Sequence, residues 1–410
     1  MAADRLSAAD LTYLVVEAAD TPMHVGALGI LDGSALRDTD GRIRLTELRA
    51  QLEGRLDAVP KLRRRPSNKV RPIWVDDPDF RIERHVRLVT VPPPGDDAAL
   101  LGLADRLLEP RLDRDHPLWR IWIVDGFTGG RVALLIAVHH AVADGSAALQ
   151  LFLPLLGGQP PAGPTRPVAD RPGRRSGWHR MRAALGAPRT SLNAPIGRHR
   201  ISGVVRVSLP TAKAVAHAAG GTVNDLLLNL AAGGIRALLQ ERGEPVDDLQ
   251  LHVAVPVQTG ATQAGIVVVR LPLAPADPRE RLPLVHRAAA LAKHGQPAGS
   301  TPLVWLARSG LMRVFTRHQR LTNVVVSNVV GPAEPVVLLG APVLELIPLG
   351  ALAGNLALTF LALSYAGTLV VSVRADRERF ADLPVLVAAM NQEWQTIAAP
   401  PVLRPGGAAS

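Results

Sequence analysis

The 410-residue sequence contains no cysteine, which excludes disulfides, thiolate metal sites and a cysteine-bound acyl intermediate together. Aromatic residues make up only 3%, and no nucleic-acid-binding module is recognisable, so a nucleic-acid partner is not expected. The opening Met1-Ala-Ala-Asp4 lacks the basic segment and apolar core of a signal peptide, so a cytoplasmic setting is expected rather than secretion. No Gly-x-Ser-x-Gly elbow occurs, which removes the commonest serine nucleophile. The longest uncharged stretch, 346–373, could span a bilayer by length, but Pro348, Gly350, Gly354, Asn355 and Gly367 break it. It reads instead as strands, with Tyr365-Ala-Gly-Thr368 as a hairpin turn.

Apolar residues are plentiful at 47%, and the length exceeds what one hydrophobic core usually organises, so two domains are expected. Between residues 157 and 200, proline, glycine and arginine are dense and periodic apolar residues scarce, marking an interdomain linker. The N-terminal domain is then 1–156 and the C-terminal domain 201–400. The formal charge of +10 favours anionic partners, such as a membrane face or a nucleotide phosphate. Within the linker, Trp178 among Arg174, Arg175, Arg180 and Arg182 suits either a membrane interface or solvent.

The richest stretch is Arg131-Val-Ala-Leu-Leu-Ile-Ala-Val-His139-His140-Ala-Val-Ala-Asp144-Gly145. Its apolar run predicts a buried strand, and Ser146-Ala-Ala-Leu-Gln-Leu begins a helical pattern, so the polar cluster sits at a strand-to-helix switch. Alternation along the strand puts Val132, Leu134, Ile136, Val138 and His140 on one face, and Leu135, Ala137 and His139 on the other. A neutral imidazole at such a strand end can take a proton from a hydroxyl. Asp144 beside Gly145 can turn back to hold the backbone or an arginine. The spacing alone leaves open which histidine acts.

At this point the residues carry a resemblance. His139-His140-Ala-Val-Ala-Asp144-Gly145 resembles the HHxxxDG motif of the bacterial wax ester synthase/diacylglycerol acyltransferase family, which is similar in fold to chloramphenicol acetyltransferase and the peptide-synthetase condensation domains. The segment Thr21-Pro-Met-His24, the Pro117-Leu118-Trp119 entry to a strand, the Asn224-Asp225 pair opening a helix capped by Thr222, and Ser327-Asn328-Val all resemble family segments in order. The sequence departs from the family after Val255-Pro256-Val257, where Gln258-Thr259-Gly260 replaces the usual Ser and Arg and a later Gly-Asn is missing. Val330 also stands where proline is usual.

The resemblance implies an α/β fold of two chloramphenicol-acetyltransferase-like domains with mixed sheets and a central channel between them. It implies an acyl-CoA-dependent O-acyltransferase that esterifies a diacylglycerol or long-chain alcohol to triacylglycerol or wax ester. His140 would be the general base, His139 a supporting residue and Asp144 mainly structural. Trp119 reads as a packing anchor, Asn224 and Asp225 as a hydrogen-bond network rather than a channel lining, and Ser327 and Asn328 as oxyanion donors or substrate contacts. No metal or bound cofactor is implied. The partners are acyl-CoA as donor substrate and a lipid alcohol as acceptor, with peripheral contact at the inner face of the plasma membrane or a lipid inclusion. Two rival readings are a condensation-type transferase that takes its acyl group from a carrier protein and a non-catalytic lipid-binding paralogue. The His-x4-Asp pattern of glycerol-phosphate acyltransferases is also met, but no Pro-Glu-Gly-Thr segment follows.

Overall fold

In the computed structural model the structure describes residues 5–67, 72–143, 145–157, 186–258, 264–294, 312–338 and 340–399. The alternation expected of the histidine strand, Val132–His139, sorts its side chains onto two different cores. Val132, Leu134 and Val138 join a cluster with Leu48, Leu52, Leu62, Trp119 and Phe152, beneath the helices Leu45–Arg55 and Gly145–Leu156. Ala133, Leu135 and Ala137 join a second cluster with Leu28, Leu100, Ala104 and Leu108, under the helix Asp97–Leu107. Val204 and Val370, from strands of the other sheet, pack into this second cluster. One face of the first sheet is therefore the seam between the two halves.

The first sheet runs Val337–Leu338, Ala341–Leu349, His24–Leu31, Val132–His139, Trp119–Asp125, Val86–Thr90. Its pairings are antiparallel except the last, which is parallel. The second runs Arg200–Ser208, Thr368–Asp376, Leu358–Tyr365, Val324–Val330, Gln250–Gln258, Ala264–Pro272, with parallel pairing on both sides of Val324–Val330. Both sheets are mixed, as expected. The hairpin at Ala366-Gly367 also forms, with φ of 44° and 82°, the left-handed pair that a two-residue turn needs.

The second half is built on the helix Val223–Glu241, buried along most of its length between the helices Pro278–His294 and Leu383–Ala398. Gly233 and Gly234 permit the approach: a Cβ at Gly233 would lie 2.2 Å from Glu393 Cδ, and one at Gly234 would lie 2.6 Å from Met390 Cγ. Asn229 and Arg281 meet in the same interior, the guanidinium Nε–H donating to Asn229 Oδ1 at 2.9 Å.

Two features differ from the sequence reading. Val337–Leu338 and Ala341–Leu349 lie beyond residue 200, yet they complete the first sheet, with Gly26 opposite Leu349 and Ile30 opposite Glu345. The edge of His24–Leu31 needs a partner, and which segment supplies it is a tertiary choice that local pattern does not record. The end of the expected linker belongs to the second core: Leu192 and Ile196 are buried there, and Asn193 Nδ2 donates to the Thr322 carbonyl at 3.1 Å. The rest of that linker, with Trp178 and its arginines, lies outside the described residues. His85 closes the one-turn helix Ile82–His85 and is buried, its Nδ1–H donating to the Trp119 carbonyl at 2.9 Å.

Charged pairs cross the seam. Asp105 of the helix Asp97–Leu107 lies 3.2 Å from Arg374 Nε of Thr368–Asp376, and both side chains are almost wholly buried. The Ser202 hydroxyl donates to Asp105 at 2.8 Å and Arg374 donates to the Gly350 carbonyl at 2.9 Å. Burial pushes the Asp105 carboxyl up, against the pull of Arg374 and Ser202. Removing one partner of such a pair leaves an uncompensated charge, whereas removing both leaves an apolar gap. Asp105→Ala is expected to destabilise the fold by about 3–5 kcal/mol, and Asp105→Leu combined with Arg374→Met to recover most of that loss. Urea unfolding of the three proteins tests this; a double variant no more stable than Asp105→Ala would show that the charges themselves hold the seam.

Candidate active site

The histidine loop is held by hydrogen bonds on almost every backbone group. His139 N–H donates to the Leu118 carbonyl at 3.0 Å, so Pro117-Leu118-Trp119 sets the height of the strand end. The His139 carbonyl accepts Val142 N–H at 2.8 Å and Ala143 N–H at 3.3 Å, which closes the turn. Lys61 Nζ donates to the Val142 carbonyl. Trp119 is an anchor, as expected. It is buried, its Nε1–H donates to the Leu62 carbonyl at 2.7 Å, and it stacks on His85 at 4.4 Å with Phe152 edge-on.

The two ring nitrogens of His139 face different partners, Nδ1 in a hydrogen bond and Nε2 at ion-pair distance only. Nδ1 accepts Ala141 N–H at 3.0 Å, which places the proton on Nε2. Nε2 points at Glu17 Oε1, 3.4 Å away, with both side chains buried. The same carboxylate accepts Met23 N–H at 3.3 Å and an Arg114 N–H at 2.9 Å. Burial pushes the Glu17 carboxyl up, but the bonds and charges of His139, Arg114 and Met23 prevail and hold it at about 2.

His140 is fixed from the same source. Its N–H donates to the Met23 carbonyl at 2.8 Å, so one carboxylate holds His139 directly and His140 through one intervening residue. The strand ends at His139 and His140 begins the turn, so simple alternation does not carry through to it. The His140 ring is half-buried and stacks on Tyr13, with centroids 4.7 Å apart and planes 18° apart. His24, opposite His139 across the strands, is structural: it is buried, and its Nε2–H donates to the Leu108 carbonyl at 2.6 Å.

Of the other expected residues, Gly145, read as part of the turn, is the first residue of the helix Gly145–Leu156, while Asp144 lies outside the described residues. Asp225 completes a capping box with Thr222 and accepts His286 Nδ1–H at 3.0 Å; these bonds stay within the second half and do not reach the histidine loop. Ser327 and Asn328 lie on Val324–Val330, opposite Leu361 and Ala362. Past Val325 this strand leaves Gln250–Gln258 and follows only Leu358–Tyr365. Leu363 and Tyr365 pack in one cluster with Val138, Ala141 and Val142, which brings this end of the second sheet to the histidine loop. Asn328 Oδ1 is buried and has no hydrogen-bond partner among the described residues.

Sequence reasoning missed Glu17 and Tyr13. A signal for Glu17 was present: it caps the C-terminal end of the apolar helix Ala8–Val16, where the helix dipole disfavours a carboxylate, so its presence calls for another partner. Nothing local marked Tyr13 or Arg114, because stacking and long-range pairing leave no periodic trace.

The sequence matches the wax ester synthase/diacylglycerol acyltransferase catalytic domain over residues 6–184 and 174–227, and the C-terminal domain of the same family over 261–398. A probable diacylglycerol O-acyltransferase of Mycobacterium tuberculosis is 30% identical, the alignment covering 92% of each chain. Among solved structures, a wax ester synthase/diacylglycerol acyltransferase from Marinobacter aquaeolei VT8 superposes with a TM-score of 0.75 at 24% identity, covering 96% of this chain and 98% of that one. The starter condensation domain of rhizomide synthetase, in complex with C8-CoA and Leu-SNAC, superposes with a TM-score of 0.62 at 14% identity, covering 97% of this chain and 94% of that one.

Glu17→Gln keeps the shape and removes the charge, and is expected to cost about 2–3 kcal/mol of stability and to lower turnover at least tenfold by loosening both histidines. Unchanged stability and turnover would remove Glu17 from the site. The pH dependence follows from the directions. Glu17 is depressed from 4.5 to about 2, so its contribution is complete above pH 4.5 and is lost as pH falls through 2. His24 and His85 are lowered by burial from 6.5 to about 4. They cannot protonate with the unfolded chain, and each weakens the fold by about 3 kcal/mol between neutral pH and pH 4. Stability measured by urea unfolding should therefore fall from pH 7 to pH 4, and His85→Phe should flatten part of that fall.

Proposed function

The chain belongs to the wax ester synthase/diacylglycerol acyltransferase family, and from that premise we propose that it transfers a fatty acyl group from acyl-coenzyme A to the hydroxyl of a diacylglycerol or long-chain alcohol, with His140 as general base. The observation that carries this reading is the division of labour between the two histidines. His139 is wholly buried, with Nδ1 on the Ala141 amide and Nε2 turned toward Glu17, whereas the His140 ring is half-buried and stacks on Tyr13. Proton transfer falls to the second.

The acceptor hydroxyl gives its proton to the neutral His140 ring as its oxygen attacks the thioester carbonyl. The tetrahedral oxyanion collapses by breaking the carbon–sulfur bond, and the departing thiolate takes the proton back from the imidazolium. Donor and acceptor are bound together, since the sequence offers no cysteine and no serine elbow for a covalent acyl-enzyme. The Ser327 hydroxyl and the Asn328 carboxamide are the proposed oxyanion or substrate contacts, supported by the unpartnered Asn328 oxygen at the seam. Asp144 and Gly145 shape the turn, and Asn224 and Asp225 order the start of their helix.

In this reading the substrates meet in a channel between the halves, coenzyme A from one side and the lipid alcohol from the other. Among the described residues no helix is long and apolar enough to cross a membrane. The net charge of +10 favours a peripheral approach to an anionic lipid face.

Release of free coenzyme A from palmitoyl-coenzyme A, with diacylglycerol or hexadecanol as acceptor, tests the proposal. His140→Ala is expected to lower acceptor-dependent release by roughly 100- to 10,000-fold without unfolding the protein. Activity only with a carrier-protein-bound acyl group would move the assignment to a condensation-type transferase, the reading favoured by the likeness to the condensation domain. Folded protein inactive with every donor would leave a lipid binder.

A further inference from the structure

We propose that the pocket where the strand Gln250–Gln258 begins is the seat for the nucleotide end of the donor, with Arg270 on a phosphate of coenzyme A and the pantetheine arm lying along the sheet toward the histidine loop. The inference rests on acyl-coenzyme A being the donor, and adds where that donor enters and what holds it.

Alternation sorts the second sheet as it does the first. Leu251, Val253 and Val255, with Val267, Val269, Val324 and Val326, face the core under the helices. His252, Ala254, Val268, Arg270, Val325 and Ser327 therefore lie on the opposite face. Leu363, opposite Val329 on that same face, packs with Val138, Ala141 and Val142, so this is the face turned to the histidine loop.

At its far end the face carries a pocket of about 370 Å³, lined by Gly186, Pro188, Asp248, Gln250, His252 and Arg270. Arg270 lies opposite His252 in the ladder, is exposed, and makes no hydrogen bond or ion pair among the described residues. His252 Nδ1–H donates to the Leu321 carbonyl at 3.2 Å, which leaves Nε2 as an acceptor. Burial, and then the Arg270 charge, hold the imidazole below its ordinary range against the pull of that carbonyl, so the ring is neutral at pH 7. The wall is fixed: Asn323 Nδ2 donates to the Pro188 carbonyl at 2.9 Å, and Ala187 N–H to the Arg320 carbonyl at 3.1 Å. An unengaged guanidinium suits a phosphate. The neutral His252 nitrogen and the exposed Asp248 carboxylate accept from hydroxyl or amino groups, which an adenosine carries, and the Gln250 amide can donate or accept.

The sheet itself measures the distance to the reaction. His252 pairs with Arg270 and Ala254 with Val325, so Ser327 lies two strands across and four residues along from Arg270. At about 4.8 Å per strand and 3.3 Å per residue, the separation is about 16 Å. The pantetheine arm spans roughly thirteen bonds from sulfur to the first phosphorus, about 16 Å when extended. Between the two points the face presents Ala254, Val268 and Val325, small or aliphatic side chains that suit an uncharged arm. A phosphate on Arg270 thus puts the thioester beside Ser327, at the end of the sheet that meets the histidine loop.

Kinetics on the parent and Arg270→Gln, with hexadecanol and either palmitoyl-coenzyme A or palmitoyl-pantetheine, which lacks the nucleotide, test this beside calorimetric binding of free coenzyme A. Arg270→Gln should raise KM for palmitoyl-coenzyme A about ten- to a hundredfold, weaken free coenzyme A by a similar factor, and keep kcat within about twofold. With palmitoyl-pantetheine the two proteins should have the same KM. An unchanged KM for palmitoyl-coenzyme A overturns the proposal while the transferase stands. So does an equal rise with palmitoyl-pantetheine, which would place the effect in the fold rather than in a phosphate contact. A parent inactive with every acyl-coenzyme A that still binds free coenzyme A through Arg270 would sink the reaction and keep the seat. Coenzyme A binding that ignores Arg270, or no binding at all, overturns the seat whether or not the parent turns over.

Discussion

The constraint on which the site depends is the burial of one carboxylate. Glu17 sits almost without solvent, and a charge in that position is tolerable only when its oxygens are fully engaged. It meets that demand by drawing in three separate parts of the chain: the His139 ring from the end of the central strand, the Met23 amide from the approach to the first strand, and Arg114 from the segment before Pro117-Leu118-Trp119. Each group is thereby fixed relative to the others. The Met23 carbonyl then passes the constraint to His140. A loop that would otherwise be a flexible strand-to-helix connection becomes a rigid platform for the proposed proton acceptor.

The second constraint is the seam. The face of the first sheet bearing Ala133, Leu135 and Ala137 packs partly on Val204 and Val370 of the other half, so neither half has a complete apolar surface alone. The strand Ala341–Leu349 strengthens the dependence, because the chain leaves the second sheet, pairs with His24–Leu31, and returns to form Leu358–Tyr365. Tyr365 closes the crossing: its hydroxyl donates to the Val343 carbonyl at 2.8 Å and accepts Val336 N–H at 2.7 Å. Arg206 adds a polar rim, reaching both Asp97 and Glu345. A site that draws residues from both halves needs such coupling, since a seam that slid by an ångström would misplace them.

What could be read from the sequence, and what could not, follows from the range of the interactions. The central strand, the helix from Gly145, the capped helix at Thr222 and the hairpin at Ala366-Gly367 were legible, because periodicity, capping and turn chemistry are local. The two histidines stood out for the same reason, polar residues where an apolar run stops. Glu17, Arg114 and Tyr13 were not legible, although each lies within a segment whose secondary structure is simple, because what matters about them is which distant group they touch. The crossing strand was hidden likewise: Ala341–Leu349 reads as a strand anywhere, and only the open edge of His24–Leu31 decides where it pairs. The linker was placed too broadly, since Leu192 and Ile196 are too few and too irregularly spaced to signal burial.

The paired histidines can be understood as one solution to two problems. A buried turn must satisfy its own amides, and a catalytic ring must be free to exchange a proton. His139 answers the first: its Nδ1 takes the Ala141 amide, its carbonyl takes those of Val142 and Ala143, and its remaining proton faces the buried carboxylate. Asparagine could accept the amide, but it is too short to meet Glu17 as well. The second ring, half-buried and stacked on Tyr13, is the one proposed to exchange the proton. A single histidine asked to cap the turn and to shuttle the proton would break its own scaffold each time it was protonated, since an imidazolium Nδ1 can no longer accept the Ala141 amide. In the proposed mechanism, separating the two tasks between adjacent residues keeps the turn closed through the whole proton cycle.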